Sequence, residues 1–320
     1  MNLSFSQAAQ LLFNGDHYLI LTHRRPDGDT VGSAAALCLA LRQLGKTAYV
    51  WQNPEISKRY TPIHLPYCPP AGYEPKHVIS TDVADVTMLP DQAQKYGDSV
   101  WLTVDHHGTN PGFGMHNLIH PEMAACGELV YELVQALDLP LTKEIAYAIY
   151  IAVSTDTGCF RYSNTKAHTH QTAAACLAAG VDGGEINRAL FEVKSKARYG
   201  LEGYIHETLE FYREGRIAAV TLPRTVIDRW QADLDDLDNI ASVVRSIEGV
   251  ECGLTLQENA DGSVKGSVRS TREINAAELC AKLGGGGHIR AAGVTFRDCD
   301  MEEAKRRMIQ AAEECMDFGE

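Results

Sequence analysis

At 320 residues, 45% hydrophobic and 22% charged, the chain is long enough for one large domain or two ordinary ones, and its composition excludes a disordered protein. A formal net charge of −13 argues against tracking long nucleic acid over a broad basic surface, although the segment 262–297 carries six Lys/Arg against two acidic residues. No run reaches the roughly 18 apolar residues a membrane helix needs, and the N-terminus lacks the basic start and apolar block of a signal peptide. Nine cysteines without a CxxC pair suit reduced thiols in a cytoplasm.

In chain order, YLILTH (18–23) predicts a strand and VGSAAALCLALRQLG (31–45) a helix with a glycine stop. TAYVWQ (47–52), HVIST (77–81) and SVWLTVDHH (99–107) predict further strands. CGELVYELVQALDL (126–139) and TKEIAYAIYIAVSTDTG (142–158) have apolar faces at helical spacing. This alternation predicts an α/β fold, a mostly parallel sheet with helices on both faces and ligands beyond the carboxyl ends of its strands. The charged stretch 186–215 predicts connecting helices. The pattern then restarts with RIAAVTL, VECGLTLQE, GSVKGSVRS and AAGVTF as strands and a last helix at 300–315. The expected organisation is a first domain at 1–190, a helical linker at 191–212 and a smaller α/β domain at 213–320, with the active-site cleft between the domains.

Four polar clusters sit where predicted strands or helices end: His23, Asp27 and Asp29; Asp82; Asp105, His106 and His107; and Asp156. Each has a plain structural reading by itself. PDGD is good turn chemistry, Asp82 suits a helix N-cap, adjacent histidines are often satisfied core groups, and Asp156 can end its helix. Together they are four coincidences at the burial-prone ends of apolar runs. Crowded carboxylates resist joint ionisation unless a cation compensates, so the set points to metal. Mixed oxygen and nitrogen ligands without cysteine disfavour structural zinc and suit Mn2+ or a similar octahedral ion. There are ligands enough for two ions about 3.5–4 Å apart that activate a hydroxide for attack on phosphorus.

These motifs resemble the DHH phosphoesterase family. HRRPDGDTVGS (23–33), the lone Asp82, DHHGTN (105–110) and STDTGCFRYSNT (154–165) match its four motifs in order. GSVKGSVRS followed by GGGGHIRAAG (284–293) resembles the DHH-associated domain, so the likeness covers nearly the whole chain. The resemblance implies one metal held by His23, Asp27 and Asp82 and a second held by Asp29, Asp82, His106 and Asp156, with Asp82 shared. It implies that His107 orients or protonates the leaving group and that Asp105 orients the imidazoles from behind.

On the substrate side the resemblance implies Arg269, Ser270, the loop glycines Gly285, Gly286 and Gly287, and His288; Arg161 is a further candidate, with a surface ion pair as its plain alternative. Glycines admit an anion close to backbone amides, and an arginine fork suits a phosphate. The branch this length resembles is the compact group of bacterial nanoRNase/pAp phosphatases. The implied reaction is Mn2+-dependent hydrolysis of short oligoribonucleotides, linear dinucleotides and pAp, without long duplex or membrane partners. The alternatives are a cyclic- or linear-dinucleotide phosphodiesterase of second-messenger turnover, an inorganic pyrophosphatase of the family II type and a non-catalytic dinucleotide sensor. Assembly as a homodimer is left open by these residues.

Overall fold

Strand residues that are apolar on both faces need cover on both sides, and the first half of the chain supplies it unequally. The computed structural model describes residues 2–237, 240–271 and 274–317. Along the first half run α1 (Phe5–Asn14), β1 (Tyr18–Leu21), α2 (Gly28–Gln43), β2 (Ala48–Val50), α3 (Thr61–His64), β3 (His77–Thr81), β4 (Val100–Asp105) and β5 (His116–Ile119). They are followed by α4 (Cys126–Ala136), α5 (Lys143–Asp156), α6 (Ala167–Ala178) and α7 (Gly183–Asn187). The five strands form a sheet in the order β2-β1-β3-β4-β5, and every pairing is parallel. Strand order reverses between β1 and β3, which in open α/β sheets marks where ligands bind.

Tyr18, Ile20, Ile79, Leu102, Val104 and Leu118 pack into the main core with α1, α2, α4 and α5. The alternate residues Leu19, Leu21, Val78 and Val100 pack instead with Val83, Leu89 and Ala93. That second face lies under 3-10 segments, Val86–Met88 and Asp91–Ser99. Pro90 and Gly97 interrupt this stretch and keep it from winding into a regular helix. α2 and α5 are buried on nearly all sides, which is why both are rich in alanine. Glycine brings their backbones together: a Cβ on Gly32 would meet Ala148 O at 2.5 Å, and one on Gly127 of α4 would meet Ala152 Cβ at 2.5 Å.

The chain divides into two compact units, Met1–Val193 and Lys194–Glu320. The second begins with α8 (Lys196–Thr208), β6 (Glu210–Tyr212), β7 (Ile217–Leu222), α9 (Arg224–Arg229), α10 (Leu234–Leu237) and α11 (Ala241–Arg245). It continues through β8 (Cys252–Glu258), β9 (Val264–Ser270), α12 (Ala276–Lys282), β10 (Gly286–His288), β11 (Ala291–Phe296) and α13 (Met301–Asp317). Its sheet has the order β10-β11-β9-β8-β7-β6, parallel only between β7 and β8. The stretch expected to be a linker, 191–212, contains α8 and β6. Leu201 and Ile205 of α8 are buried with Ala218, Val220 and Val244, and β6 pairs with β7. α12 and α13 cover the other face. No described helix is long and apolar enough to cross a membrane, and the nine cysteines are free.

Candidate metal centre

The first cluster starts where β1 ends. Thr22 and His23 leave the sheet, and Asp27 then caps α2, its Oδ1 accepting the amides of Asp29 and Thr30 at 3.0 and 3.2 Å. Thr30 ties this helix start to the end of β3 through a hydroxyl bond to Thr81 O at 2.8 Å. The next residue, Asp82, is buried and holds a left-handed φ of 59°. That conformation turns its carboxylate toward the end of β1, and aspartate is among the few side chains that tolerate it. β4 delivers Asp105, His106 and His107, and the C-terminus of α5 delivers Asp156.

Ligand atoms converge in three groups, each within 4.8 Å: His23, Asp27 and Asp82; Asp29, His106 and Asp156; and Asp82, His106 and His107. His23 Nε2 stands 3.6 Å from Asp27 Oδ1 and 3.8 Å from Asp82 Oδ2. His106 Nε2 stands 3.4 Å from Asp82 Oδ1, 3.7 Å from Asp29 Oδ2 and 3.8 Å from Asp156 Oδ2. Asp82 therefore faces both imidazoles.

Two features show that these residues fit divalent cations. Asp82 Oδ1 is buried without a hydrogen-bond partner, an arrangement that costs free energy unless something else satisfies it. The imidazoles are also oriented as ligands. Nδ1 of His23 meets Arg24 O at 2.7 Å and Nδ1 of His106 meets Met123 O at 3.2 Å. A carbonyl only accepts, so Nδ1 carries the proton in each neutral ring and Nε2 presents its lone pair to the carboxylates.

The electrostatics agree. Burial, then the charge of Asp82, pushes the Asp29 carboxyl well above the usual range. Burial raises Asp82 and Asp156 as well, against the pull of His106. Burial pulls His23 down, but the hydrogen bond and charge of Asp27 outweigh it and lift the imidazole to about 9. His106 is raised too: its burial is outweighed by Asp82, Asp29 and Asp156. Protons here do the work that a cation does when metal binds, so binding is coupled to their release.

His107 is placed differently. Its Nδ1 bonds Asp105 Oδ1 at 2.8 Å, leaving Nε2 for an outside partner. Asp105 is fully buried, and its carboxylate also accepts from the His106 amide at 2.8 Å and from Asn110 Nδ2 at 2.6 Å. The Asp105 hydrogen bond raises the His107 pKa against its burial.

Several supporting residues were given no role in the sequence reading, although Ser33 and Asn164 stand within quoted motifs. Asp29 accepts from Ser33 Oγ at 3.0 Å and from the Cys126 and Gly127 amides at 2.7 and 3.0 Å, at the positive end of α4. Asn164 reaches the backbone oxygens of Ala124 and Asp156 at 3.1 and 3.2 Å. Buried Asn53 donates to Thr22 Oγ1 and His23 O, both at 2.9 Å, while its own amide bonds His64 Nε2 at 3.2 Å. Asn110 stood within a quoted motif, whereas Asn53 follows a three-residue strand and is recognisable only from contacts about 30 residues away. Asn53→Ala should weaken divalent-cation binding by about ten-fold, as loss of such outer partners does, without altering a ligand. Titration with Mn2+ checks this.

In the second unit Arg269, Ala291 and His288 lie in one cross-strand register over β9, β11 and β10, with Arg269 half-buried and His288 exposed. Ser270 is buried, and its hydroxyl donates to Ile289 O at 3.1 Å. The glycine loop divides in two. Gly284, at φ 82°, and Gly285 close α12 through amide bonds to Ala281 O and Cys280 O. Gly286 and Gly287 belong to edge strand β10, where a Cβ on Gly287 would meet Ala291 O at 2.6 Å. In the first unit Arg161 is exposed, and its Nε bonds Gly158 O at 2.7 Å.

The strand ends of the parallel sheet gather these carboxylates and imidazoles, and the family matches that follow make the protein a phosphoesterase. The chain belongs to the DHH family. Residues 17–153 match the DHH family N-terminal domain, and residues 215–317 match the DHHA1 domain. The bifunctional oligoribonuclease and PAP phosphatase NrnA of Thermus thermophilus is 32% identical over 297 residues, 92% of this chain and 89% of that protein. An exopolyphosphatase-related protein from Bacteroides fragilis has a similar structure, with a TM-score of 0.86 at 24% identity over 98% of this chain and 97% of that one. RecJ of Thermus thermophilus in complex with Mn2+ has a TM-score of 0.55 at 17% identity over 97% of this chain and 55% of that one.

Proposed function

We propose that this protein hydrolyses very short oligoribonucleotides and linear dinucleotides to mononucleotides, and the 3′-phosphate of pAp, using two divalent ions, Mn2+ foremost. The observation that carries this reading is the 32% identity to an oligoribonuclease and PAP phosphatase, which runs through both domains. The ligand groups support it further: one joins His23, Asp27 and Asp82, a second joins Asp29, His106 and Asp156, and a third joins Asp82 to His106 and His107. One ion is assigned to His23, Asp27 and Asp82, the other to Asp29, Asp82, His106 and Asp156. Bound there, divalent ions lower the pKa of water and neutralise phosphoryl charge. The manganese of RecJ supports the choice of ion.

The chain's own groups do the rest. Asp105 stays ionised and keeps a proton on His107 Nδ1. His107 Nε2 then donates its proton to the leaving oxygen, so that departure does not create an alkoxide. Arg269 and His288, with the β10 glycines, take the substrate's terminal phosphate, supported by their common register. The net charge of −13 favours short substrates, because long ones gain affinity chiefly through many cationic contacts. Free cysteines support a cytoplasmic setting.

The test is product release with Mn2+ from a 5′-phosphorylated RNA dinucleotide, pAp and inorganic pyrophosphate in parallel, with EDTA controls. Preference for the dinucleotide or pAp is expected; preference for pyrophosphate overturns the substrate assignment and keeps the metal site. Arg269→Ala should raise KM for the dinucleotide about ten-fold or more, since a charge-assisted contact contributes about 1.5–3 kcal/mol, with kcat little changed. An unaltered KM removes Arg269 from the binding site.

A further inference from the structure

We propose that the seam between α4 and α6 binds a dehydrated monovalent cation, K+ or Na+, which ties together the supports of Asp29 and Asp156. α4 and α6 run side by side. Just before the two helices start, Asn164 Nδ2 bonds Ala124 O at 3.1 Å and the Lys166 amine reaches Glu122 O. Further along, His168 Nε2 stands 3.5 Å from Glu132 Oε1. Residues four apart share a helix face, so Glu128 lies on the face of Glu132, and Thr172 on the face of His168. The contact between Glu132 and His168 sets those two faces against each other.

Buried oxygen collects along this seam without partners. Glu128 Oε1, Thr172 Oγ1, and Asn164 Oδ1 and Thr165 Oγ1 in the loop that leads into α6 are all buried and make no hydrogen bond. Glu128 is 1% exposed and Thr172 is fully buried. Each such atom costs free energy unless something meets it. Asn164 cannot turn its amide to relieve the oxygen, because its NH2 faces the carbonyls of Ala124 and Asp156 at 3.1 and 3.2 Å, and carbonyls only accept. Charge identifies the missing partner. Glu128 Oε2 takes the Ala124 amide at 3.3 Å, and among the described residues no Lys, Arg or His pairs with this carboxylate. A buried charge needs a counter-charge. One carboxylate, one amide oxygen and two hydroxyls with free lone pairs make a hard oxygen set carrying a single negative charge, which balances one monovalent ion. The amides that start α4 hold Asp29, and Asn164 Nδ2 lies 3.4 Å from Asp156 Oδ2. An ion in the seam therefore steadies both carboxylates of the divalent centre from behind.

Thermal melts of the full chain in EDTA test the site without calling on turnover. When KCl or NaCl replaces tetramethylammonium chloride at constant ionic strength, the melting temperature should rise saturably by about 5 °C, as binding to the folded state alone requires. The larger of the two rises names the ion. Glu128→Gln keeps the shape of the side chain and its bond to the Ala124 amide. It should lose the rise, and in tetramethylammonium it should melt at or above the wild type, because an uncompensated buried charge is gone. Thr172→Val removes one oxygen and should raise the half-saturating ion concentration about ten-fold. Mn2+ should bind the wild type several-fold more tightly in the preferred salt, and Glu128→Gln should not show that gain. If the wild type melts alike in all three salts, the seam holds water alone and the proposal falls. A rise that survives unchanged in both variants places the ion elsewhere and overturns it equally.

Discussion

Asp82→Asn should abolish Mn2+ loading and lower kcat/KM for an RNA dinucleotide by on the order of 10³-fold or more, beyond the 10- to 100-fold that outer partners of a metal site contribute. Asp82 is the carboxylate that both His23 and His106 face, so its loss removes a ligand from each set at once. Asparagine is the informative replacement because it tolerates the left-handed φ of 59° and keeps the shape. Folding should therefore survive. In EDTA the variant should melt at or above the wild-type temperature, because one charge leaves a buried group of mutually repelling carboxylates. Metal analysis, turnover and thermal melts check the three parts separately. A variant that still binds two equivalents of Mn2+ and turns over normally removes Asp82 from the shared position.

The second large effect is expected at His107. His107→Gln should reduce kcat on a dinucleotide by about 10²- to 10⁴-fold, the usual contribution of a positioned acid. On a nucleotide p-nitrophenyl ester, whose leaving group departs unprotonated, the loss should be much smaller. Equal losses on both substrates would mean that His107 does not protonate the leaving oxygen. Asp105→Asn adds a pH signature. The Asp105 hydrogen bond raises the His107 pKa, and the active form carries the proton. Without the carboxylate that pKa falls, so activity should decline at lower pH on the alkaline side of the profile.

The site was legible because its residues interrupt apolar runs. His23, Asp82 and Asp105 each follow three or more buried strand residues, and a parallel sheet brings such ends to one edge. What was not legible lacks that contrast. β5 has only Asn117 and Leu118 buried, so no apolar run announces it. β10 is two glycines and a histidine, all exposed, and is a strand only because β11 lies beside it. α8 is the helix expected in the linker, and what its charged sequence does not announce is its packing into the second unit through Leu201 and Ile205. Asn53 and the α4 amides act across long separations, so no local pattern marks them.

The glycine contacts between helices bear on which ion the protein accepts. Asp29 lies in the first turn of α2, its carboxylate rests on the amides that start α4, and Asp156 ends α5. α2 meets the α5 backbone at Gly32, and α4 meets the Ala152 methyl and the Ile149 carbonyl at Gly127, so close helix contacts set the span between the two carboxylates. Oxygen sits about 2.0–2.1 Å from Mg2+ and about 2.3–2.6 Å from Ca2+. Pushing the helices apart by a single methyl group moves the span by a comparable distance. Helix packing one turn from Asp29 would then act as a gauge of ionic radius, and Gly32→Ala should shift the centre toward larger cations without altering one coordinating group.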